Sequence, residues 1–183
     1  MNIVLIGYRG TGKSVVAEVL AVRLGMQCIN MDAEIVKRAG MSIPEIVKRY
    51  GWSEFRNMET EETRRLARLD NIIIDTGGGI IERFENIEVL QPNSRIFWLK
   101  ASVDVIVSRI QGGSERPALT SGKTFTEEVV EVLEERIPKY QSAAQYEIDT
   151  DELTLEQVSD KVIESWKKDV LEAKSVSSQK VRE

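Results

Sequence analysis

Short apolar runs and longer amphipathic stretches alternate along this chain. The apolar runs have the length of strands. The run that ends at Asp75 is continuous, as expected for a strand that is buried on both faces of a parallel sheet. The predicted strands cover residues 3–6, 27–30, 71–75, 94–99 and 146–149.

The stretches between these strands have the spacing and the end signals of helices. Gly25 suits a helix C-cap, and Gly40 and Gly51 interrupt the longest helical stretch. Ser42 and Glu45 have the spacing of a capping box at a helix start. The predicted helices cover residues 15–24, 32–69 with its two breaks, 103–109, 126–141 and 155–168.

This alternation predicts an α/β fold with three layers, in which helices cover both faces of a mostly parallel five-stranded sheet. Residues 1–170 are expected to form a single domain. Residues 111–123 lack periodicity and contain three glycines and a proline, which predicts a loop. Residues 171–183 are rich in Ser, Lys, Gln and Glu, and we expect them to be a disordered tail.

The stretch Gly7–Ser14 lies between the first strand and the first helix and fits the phosphate-binding pattern G-x-x-x-x-G-K-[ST]. Its glycines let backbone N–H groups point inward, and the helix that follows adds its own unpaired N–H groups. Lys13 would reach the phosphates of a nucleotide, and Ser14 would ligate Mg²⁺. The alternative is a glycine-rich turn with a solvated lysine. The predicted ATP-binding residues here are Gly10, Thr11, Gly12, Lys13, Ser14 and Val15.

Ligands of parallel sheets gather at the carboxyl ends of the strands. Those ends bring together the 7–14 loop, residues 30–32 and residues 75–79, and the helical insert 32–69 and the loop 111–123 would flank the same opening. The layout is that of a small P-loop kinase, similar to the nucleoside-monophosphate kinases, with a substrate-binding insert and a lid.

The amino-acid composition limits which functions and which catalytic groups are possible. The net charge of −5 over 183 residues argues against a general nucleic-acid binder. The chain has no histidine, so any proton transfer has to rest on a carboxylate or another group. Its one cysteine, Cys28, stands in an apolar run, which favours a core position for that thiol. We see neither a secretion signal nor an apolar run of membrane-spanning length, so we expect a cytoplasmic location. We also expect a monomer.

Several separated blocks, which together cover about residues 1–165, resemble the shikimate kinases. They stand in the family's order, which makes them far more specific than the phosphate-binding pattern alone. The blocks are Gly7–Ser14, Asp32–Ile35, Ser42–Ile46, Glu54–Arg56, Thr76–Gly79, Arg116–Leu119 and Arg136–Tyr140.

The resemblance implies ATP- and Mg²⁺-dependent phosphorylation of the 3-hydroxyl of shikimate. It implies that Arg56 and Arg136 hold the substrate carboxylate and that Asp32 contacts the acceptor hydroxyl and accepts its proton. Arg116 corresponds to the family's lid arginine over the phosphates, and Arg109 to the arginine against the adenine. The triple glycine Gly77, Gly78 and Gly79 would let the backbone approach a substrate hydroxyl.

Each of these side chains also has a purely structural alternative. Arg56 has the i,i+3 spacing of a surface ion pair with Glu59. Arg136 lies among charged residues that would suit a solvated helix face, and Asp32 could be only the N-cap of its helix. Arg109 would suit the C-terminus of a helix in any protein.

The sequence departs from the family at one position. The family has an aspartate two residues before the equivalent of Asp32, where it helps to hold the water shell of Mg²⁺, and this chain has Asn30. We hypothesise that Asp75, at the end of the neighbouring strand, supplies the missing charge and holds Mg²⁺ together with Ser14. The alternative is that Asn30 marks a weakened kinase.

Three other functions stay open on the sequence. A small kinase for another hydroxy acid, such as gluconate, would also need a carboxylate pocket. A nucleotide-binding homologue that has lost turnover would explain Asn30. A nucleoside-monophosphate kinase is less favoured, because the insert lacks an obvious base-reading segment.

Overall fold

Five strands form one sheet through the centre of the protein, in the order β2-β3-β1-β4-β5. We describe a computed structural model that covers residues 1–110 and 124–180. Every strand pairing in these ranges is parallel, so the predicted α/β class and five-stranded sheet are confirmed. The strands are β1 (Asn2–Ile6), β2 (Gln27–Asn30), β3 (Ile72–Asp75), β4 (Ser94–Lys100) and β5 (Tyr146–Asp149).

Seven α-helices are present in the described ranges, and short 3₁₀ turns cover Ile80–Glu82 and Gln91–Asn93. The helices are α1 (Lys13–Leu24), α2 (Met31–Ala39), α3 (Ile43–Leu66), α4 (Phe84–Leu90), α5 (Val103–Ile110), α6 (Phe125–Ala143) and α7 (Leu155–Lys180).

Alternate residues of the central strand point to opposite faces of the sheet, and each face has its own core. Ile3 and Leu5 pack with apolar residues of α1 and α7, whereas Val4 and Ile6 pack with residues of α3, α4 and α6. These four side chains have no exposed surface, which explains the continuous apolar run in the sequence.

The predicted helix signals in the insert are present in the structure. Gly40 (φ 67°) ends α2, and Gly51 (φ 83°) is the non-helical kink within α3. Ser42 and Glu45 form both hydrogen bonds of the predicted capping box. The insert is therefore two helices that meet at a glycine, with the second one bent.

Two predictions about the chain's later elements need correction or fall outside the structure. Helix α7 does not end near Lys168 but continues to Lys180, where we predicted a disordered tail from residue 171. Half of residues 169–180 are good helix formers (Leu171, Glu172, Ala173, Lys174, Gln179 and Lys180), and extending a formed helix costs little. The predicted lid, residues 111–123 with Arg116, lies outside the described residues. In the described ranges, the helices include none with both the length and the apolarity needed to span a membrane.

Candidate active site

The stretch Gly7–Ser14 forms the predicted loop between β1 and α1. Gly7, Gly10 and Gly12 have φ angles of 142°, 82° and 92°, which side chains of L-residues rarely allow. A Cβ on Gly7 would also overlap the backbone carbonyl of Leu99. Because α1 starts at Lys13, its first N–H groups face the concave side of the loop.

The Lys13 side chain crosses this loop and is only 8% exposed. Its Nζ donates to the backbone carbonyls of Gly7 (2.9 Å) and Tyr8 (3.0 Å). The alternative of a solvated lysine is therefore wrong. Of the other predicted nucleotide-binding residues, Thr11 is buried beneath the loop with its hydroxyl donating to the Tyr8 carbonyl. Lys13 and the other predicted nucleotide-binding residues within the described ranges border one open pocket: Gly10, Gly12, Lys13, Ser14, Val15 and Arg109.

Arg109 reaches this pocket from the end of α5. Its guanidinium donates to the side-chain and backbone oxygens of Thr150 (3.1 and 3.0 Å) and to the carbonyl of Gly10 (3.3 Å). These bonds tie α5 to the loop and to the residue after β5, so Arg109 does more than complement the dipole of its own helix. Thr150 was missed in the sequence, although its position just past a strand end was a signal.

Asn30 and Asp75 are register partners at the carboxyl ends of β2 and β3. The Asn30 Oδ1 accepts from the backbone N–H of Ala33 (2.9 Å) and so caps α2. Its Nδ2 donates to Asp75 Oδ2 (2.6 Å). The helix cap is thus Asn30, and the alternative that Asp32 is the cap is wrong, because α2 starts one residue before Asp32.

Asp75 is 3% exposed and lies beside the phosphate-binding loop. Burial raises the pKa of its carboxyl group, and the positive charge of Lys13 and hydrogen bonds from Ser14 and Asn30 oppose that rise. The two predicted metal ligands, Ser14 and Asp75, therefore lie together at the floor of the nucleotide pocket.

A second pocket lies on the other side of the loop, between the insert and α6. All of the substrate-binding residues that the resemblance implied line this pocket. They are three charged residues and three glycines: Asp32, Arg56, Arg136, Gly77, Gly78 and Gly79. The rest of the wall consists of two further charged residues, Arg9 and Glu59, and of Tyr8, Ile43, Trp52 and Phe55.

Arg56 does pair with Glu59, as the structural alternative required, but not on the surface. Glu59 is 1% exposed, and the Arg56 guanidinium lies 5.4 Å from the centre of the Trp52 ring. Burial raises the pKa of the Glu59 carboxyl group, and the charge of Arg56 opposes that rise. The pair is part of the pocket wall, and Glu59 is a pocket residue that we had considered only as a surface partner.

The glycine turn leaves room for these charged side chains. A Cβ on Gly79 would overlap the Arg56 guanidinium, and one on Gly77 would lie 2.7 Å from Asp32 Oδ1. A Cβ on Gly78 would meet its neighbours at ordinary distances of 3.4 Å or more. Two of the three glycines therefore permit the close packing of Asp32 and Arg56 against the turn.

Arg136 is 8% exposed, so the alternative of a solvated helix face is wrong. Its Nε donates to Glu82 Oε1 (2.6 Å) and its Nη1 to the carbonyl of Gly78 (3.4 Å). Lys139 binds the other oxygen of Glu82. Burial alone would raise the pKa of the Glu82 carboxyl group, but Lys139 and Arg136 outweigh it and lower that pKa. No sequence pattern pointed to Glu82.

A phosphate-binding loop between a nucleotide pocket and an arginine-lined acceptor pocket defines a P-loop kinase of a small anionic substrate. The sequence model of the family described as Shikimate kinase matches residues 9–167. The chain belongs to the shikimate kinase family.

Relatives agree with this assignment over most of their length. The chain is 35% identical to the shikimate kinase of Caldicellulosiruptor bescii, over 88% of this chain and 93% of the relative. It is 38% identical to that of Thermodesulfovibrio yellowstonii, over 91% of this chain and 95% of the relative.

The fold of this chain is also similar to those of solved structures. Shikimate kinase from Acinetobacter baumannii, in complex with shikimate, superposes with a TM-score of 0.85 at 28% identity, covering 92% of this chain and 93% of that one. A gluconokinase from Sinorhizobium meliloti 1021 reaches a TM-score of 0.57 at 18% identity, covering 88% of each chain, and so shares the fold alone.

Proposed function

We propose that this protein is a shikimate kinase, which transfers the γ-phosphoryl group of ATP to the 3-hydroxyl of shikimate and releases shikimate 3-phosphate and ADP. One observation carries the proposal: Asp32, Arg56 and Arg136 line a single pocket that adjoins the phosphate-binding loop. A gluconate-type kinase and a homologue without turnover are not favoured, because the family match covers nearly all of the site.

The acceptor pocket suits a hydroxy acid. The guanidinium groups of Arg56 and Arg136 would pair with the substrate carboxylate, since planar donors fit both of its oxygens. Asp32 borders both pockets and would orient the 3-hydroxyl. As the hydroxyl oxygen bonds to the γ-phosphorus, the bond to the β–γ bridging oxygen breaks and the hydroxyl proton passes to the Asp32 carboxylate. Because the transition state is loose, Asp32 needs little base strength to accept the proton.

On the nucleotide side, the loop N–H groups and the start of α1 would bind the phosphates. Lys13 would exchange its two carbonyl partners for phosphate oxygens, and Arg109 would lie against the adenine. We propose that Arg116 closes over the phosphates and excludes water, as the lid arginine of the family does.

The residues at the floor of the nucleotide pocket fit a magnesium ion. The buried Asp75 carboxylate has the hydroxyl of Ser14 beside it, and both are oxygen donors of the kind that Mg²⁺ prefers. When bound, the ion would neutralise charge on the β- and γ-phosphates. Asn30 supports this arrangement, since its amide N–H holds one oxygen of Asp75 in place.

A coupled ADP-release assay tests the substrate assignment. We expect turnover with shikimate and none above background with gluconate or nucleoside monophosphates. Turnover with gluconate instead, or ATP binding without turnover on any of these, would contradict the proposal.

Two variants test the assignment of Lys13 to the nucleotide pocket and of Arg136 to the acceptor pocket. Lys13→Ala should abolish turnover, because the transferring phosphoryl loses its nearest predicted cation. Arg136→Ala should raise KM for shikimate by about 10- to 100-fold while leaving KM for ATP within about twofold. Loss of ATP binding in the second variant, with shikimate binding intact, would contradict the assignment.

We also propose that the protein works as a cytoplasmic monomer that does not bind nucleic acid. The net charge of −5 supports the last point, because the chain has no excess of Lys and Arg to neutralise phosphates. Light scattering of the eluted protein at several concentrations tests the oligomeric state, and a mass of twice the chain's would contradict it.

A further inference from the structure

Arg9 lies where the nucleotide pocket meets the acceptor pocket. In the described part of the chain, four residues border both pockets: Arg9, Asp32, Gly77 and Gly78. Arg9 is the only cation among these four. A phosphoryl group that moves from ATP to the acceptor has to pass this junction.

The backbone around Arg9 is held against both halves of the site. Its N atom lies 3.5 Å from where a Cβ on Gly78 would be, so the loop touches the acceptor turn at this peptide. The preceding carbonyl, that of Tyr8, accepts from Lys13 Nζ at 3.0 Å. The peptide bond between Tyr8 and Arg9 therefore supplies the carbonyl oxygen that binds Lys13.

The guanidinium group is also held in place. Its Nη2 donates to Glu128 Oε1 (2.9 Å), and Glu128 is a 4%-exposed residue in the first turn of α6. The rings of Tyr8 and Phe125 lie 5.6 and 5.1 Å from its Cζ. The bond to Glu128 uses one of the five guanidinium N–H groups, the Tyr8 hydroxyl lies beside the guanidinium, and the buried Nε has no hydrogen-bond acceptor among the described residues. The side chain thus has N–H groups left for a ligand.

We propose that Arg9 is a catalytic residue that donates from its guanidinium to a non-bridging oxygen of the transferring phosphoryl group, with Glu128 holding it in position. This inference rests on the proposed function. Charge on those oxygens is what a phosphoryl-transfer site has to stabilise, and a fixed guanidinium does so without reorganising. The competing explanation is a tether that only joins the loop to α6.

Arg9→Met tests the proposal because it keeps much of the side chain's length and removes its charge. We expect kcat to fall about 100-fold, with KM for shikimate and for ATP within about threefold of wild type. Arg9→Lys should recover part of kcat. Arg64→Met is the matched control, since Arg64 is an exposed residue of α3 paired with Glu85, and it should leave kcat unchanged.

A second measurement separates catalysis from tethering. The complex of ADP with aluminium fluoride and shikimate mimics the transferring phosphoryl, and Arg9→Met should weaken its affinity about as much as it lowers kcat. Affinity for ADP alone should not change.

Wild-type kcat in Arg9→Met, or an equal loss of affinity for ADP alone, would overturn the inference. A failure of the proposed function would look different, since the wild-type protein itself would then release no ADP with shikimate.

Discussion

Asn30 makes two hydrogen bonds that leave its amide only one orientation. The carbonyl oxygen caps α2, so the NH₂ group faces Asp75. An aspartate at this position would cap the helix equally well, but its second oxygen would lie against the Asp75 carboxylate and repel it. The two positions are therefore coupled: one of them carries the negative charge, and the other has to be neutral.

This coupling predicts the outcome of a charge exchange between the two strands. Asp75→Asn should lower kcat by about 10- to 100-fold at fixed Mg²⁺ and raise the Mg²⁺ concentration needed for half-maximal rate. The double variant Asn30→Asp with Asp75→Asn should recover part of the Mg²⁺ dependence, because the charge returns to the same corner of the pocket. A titration of rate against Mg²⁺ checks both. Unchanged Mg²⁺ dependence in Asp75→Asn would refute the metal assignment.

Asp75 also predicts a pH dependence of stability. Its pKa is raised in the folded protein, chiefly by burial, so the folded state holds this proton at a pH where the unfolded chain has released it. Its contribution to the free energy of unfolding therefore decreases as pH rises from its ordinary value of 3.8 through the raised pKa. The Asp75→Asn variant does not show this decrease, because an asparagine side chain does not titrate. The difference in unfolding free energy, variant minus wild type, should rise between pH 4 and pH 7 in urea titrations, and a fall would contradict it.

Residue types and their spacing predicted which side chains line the pockets, but not the partners of those side chains. Arg56 and Arg136 are in the acceptor pocket as expected from the resemblance. Glu82, which binds Arg136, lies 54 positions away in sequence, and Arg9 occupies a variable position of the loop pattern. Such contacts depend on how separate elements pack, which local pattern does not encode.

At the level of elements, the turn after β3 shows how backbone shape makes room for the side chains of the acceptor pocket. Gly79→Ala should displace the Arg56 guanidinium and raise KM for shikimate by about tenfold or more, since the added Cβ occupies its place. Gly78→Ala is the matched comparison in the same turn. It should have a smaller effect, because its Cβ finds contacts of 3.4 Å or more. Equal effects of the two changes on KM would show that the turn's flexibility, rather than room for Arg56, is what matters.

The short 3₁₀ turn Ile80–Glu82 connects this glycine turn to α6 through Glu82. Because Glu82 binds Nε of Arg136, the loss of Glu82 should let the guanidinium turn away from the place we propose for the substrate carboxylate. Glu82→Ala should raise KM for shikimate by about fivefold to tenfold, with KM for ATP unchanged. Glu82→Gln keeps an acceptor oxygen and should stay within about twofold. A lower KM in Glu82→Ala would mean that Glu82 weakens carboxylate binding instead.

Elements with strong local signals were predicted well. The capping box at Ser42 and the glycine at position 51 act within a few residues, and both are present in the structure. Helix α4 was not predicted, because its seven residues make only about two turns, which is too short for a helical period to stand out, although four of them are apolar: Phe84, Ile87, Val89 and Leu90. The short helix exists because Ile87 and Leu90 pack into the core below the sheet.

For the whole molecule, the number of strands followed from the sequence but their order did not. The sheet places β3 between β1 and β2, and β4 on the other side of β1. This order places the carboxyl ends of β1, β2 and β3 side by side. Ser14, Asn30 and Asp75 therefore lie together at the floor of the nucleotide pocket. Strand order depends on crossovers and long-range pairing, to which a local apolar pattern contributes nothing.

Helix α7 closes the molecule over the edge of the sheet where β4 and β5 lie. The Trp166 Nε1 donates to the backbone carbonyl of Met1 (3.3 Å), and Asp169 binds Arg95 of β4 and accepts from the Tyr146 hydroxyl of β5 (2.9 Å). The residues that follow, 171–175, are all exposed, and even the apolar Leu171 is 67% exposed.

Two truncations therefore differ sharply in their expected effect. A chain that ends after residue 172 should unfold in urea within about 0.5 kcal/mol of the full chain, because it keeps every contact just named. A chain that ends after residue 164 loses Trp166 and Asp169 and should be about 3 kcal/mol less stable. Its KM for shikimate should not change, since the truncated segment lies on the face of the sheet opposite the insert. An equal loss of stability in both truncations would mean that the end of α7, rather than its contacts with Met1, Arg95 and Tyr146, stabilises the fold.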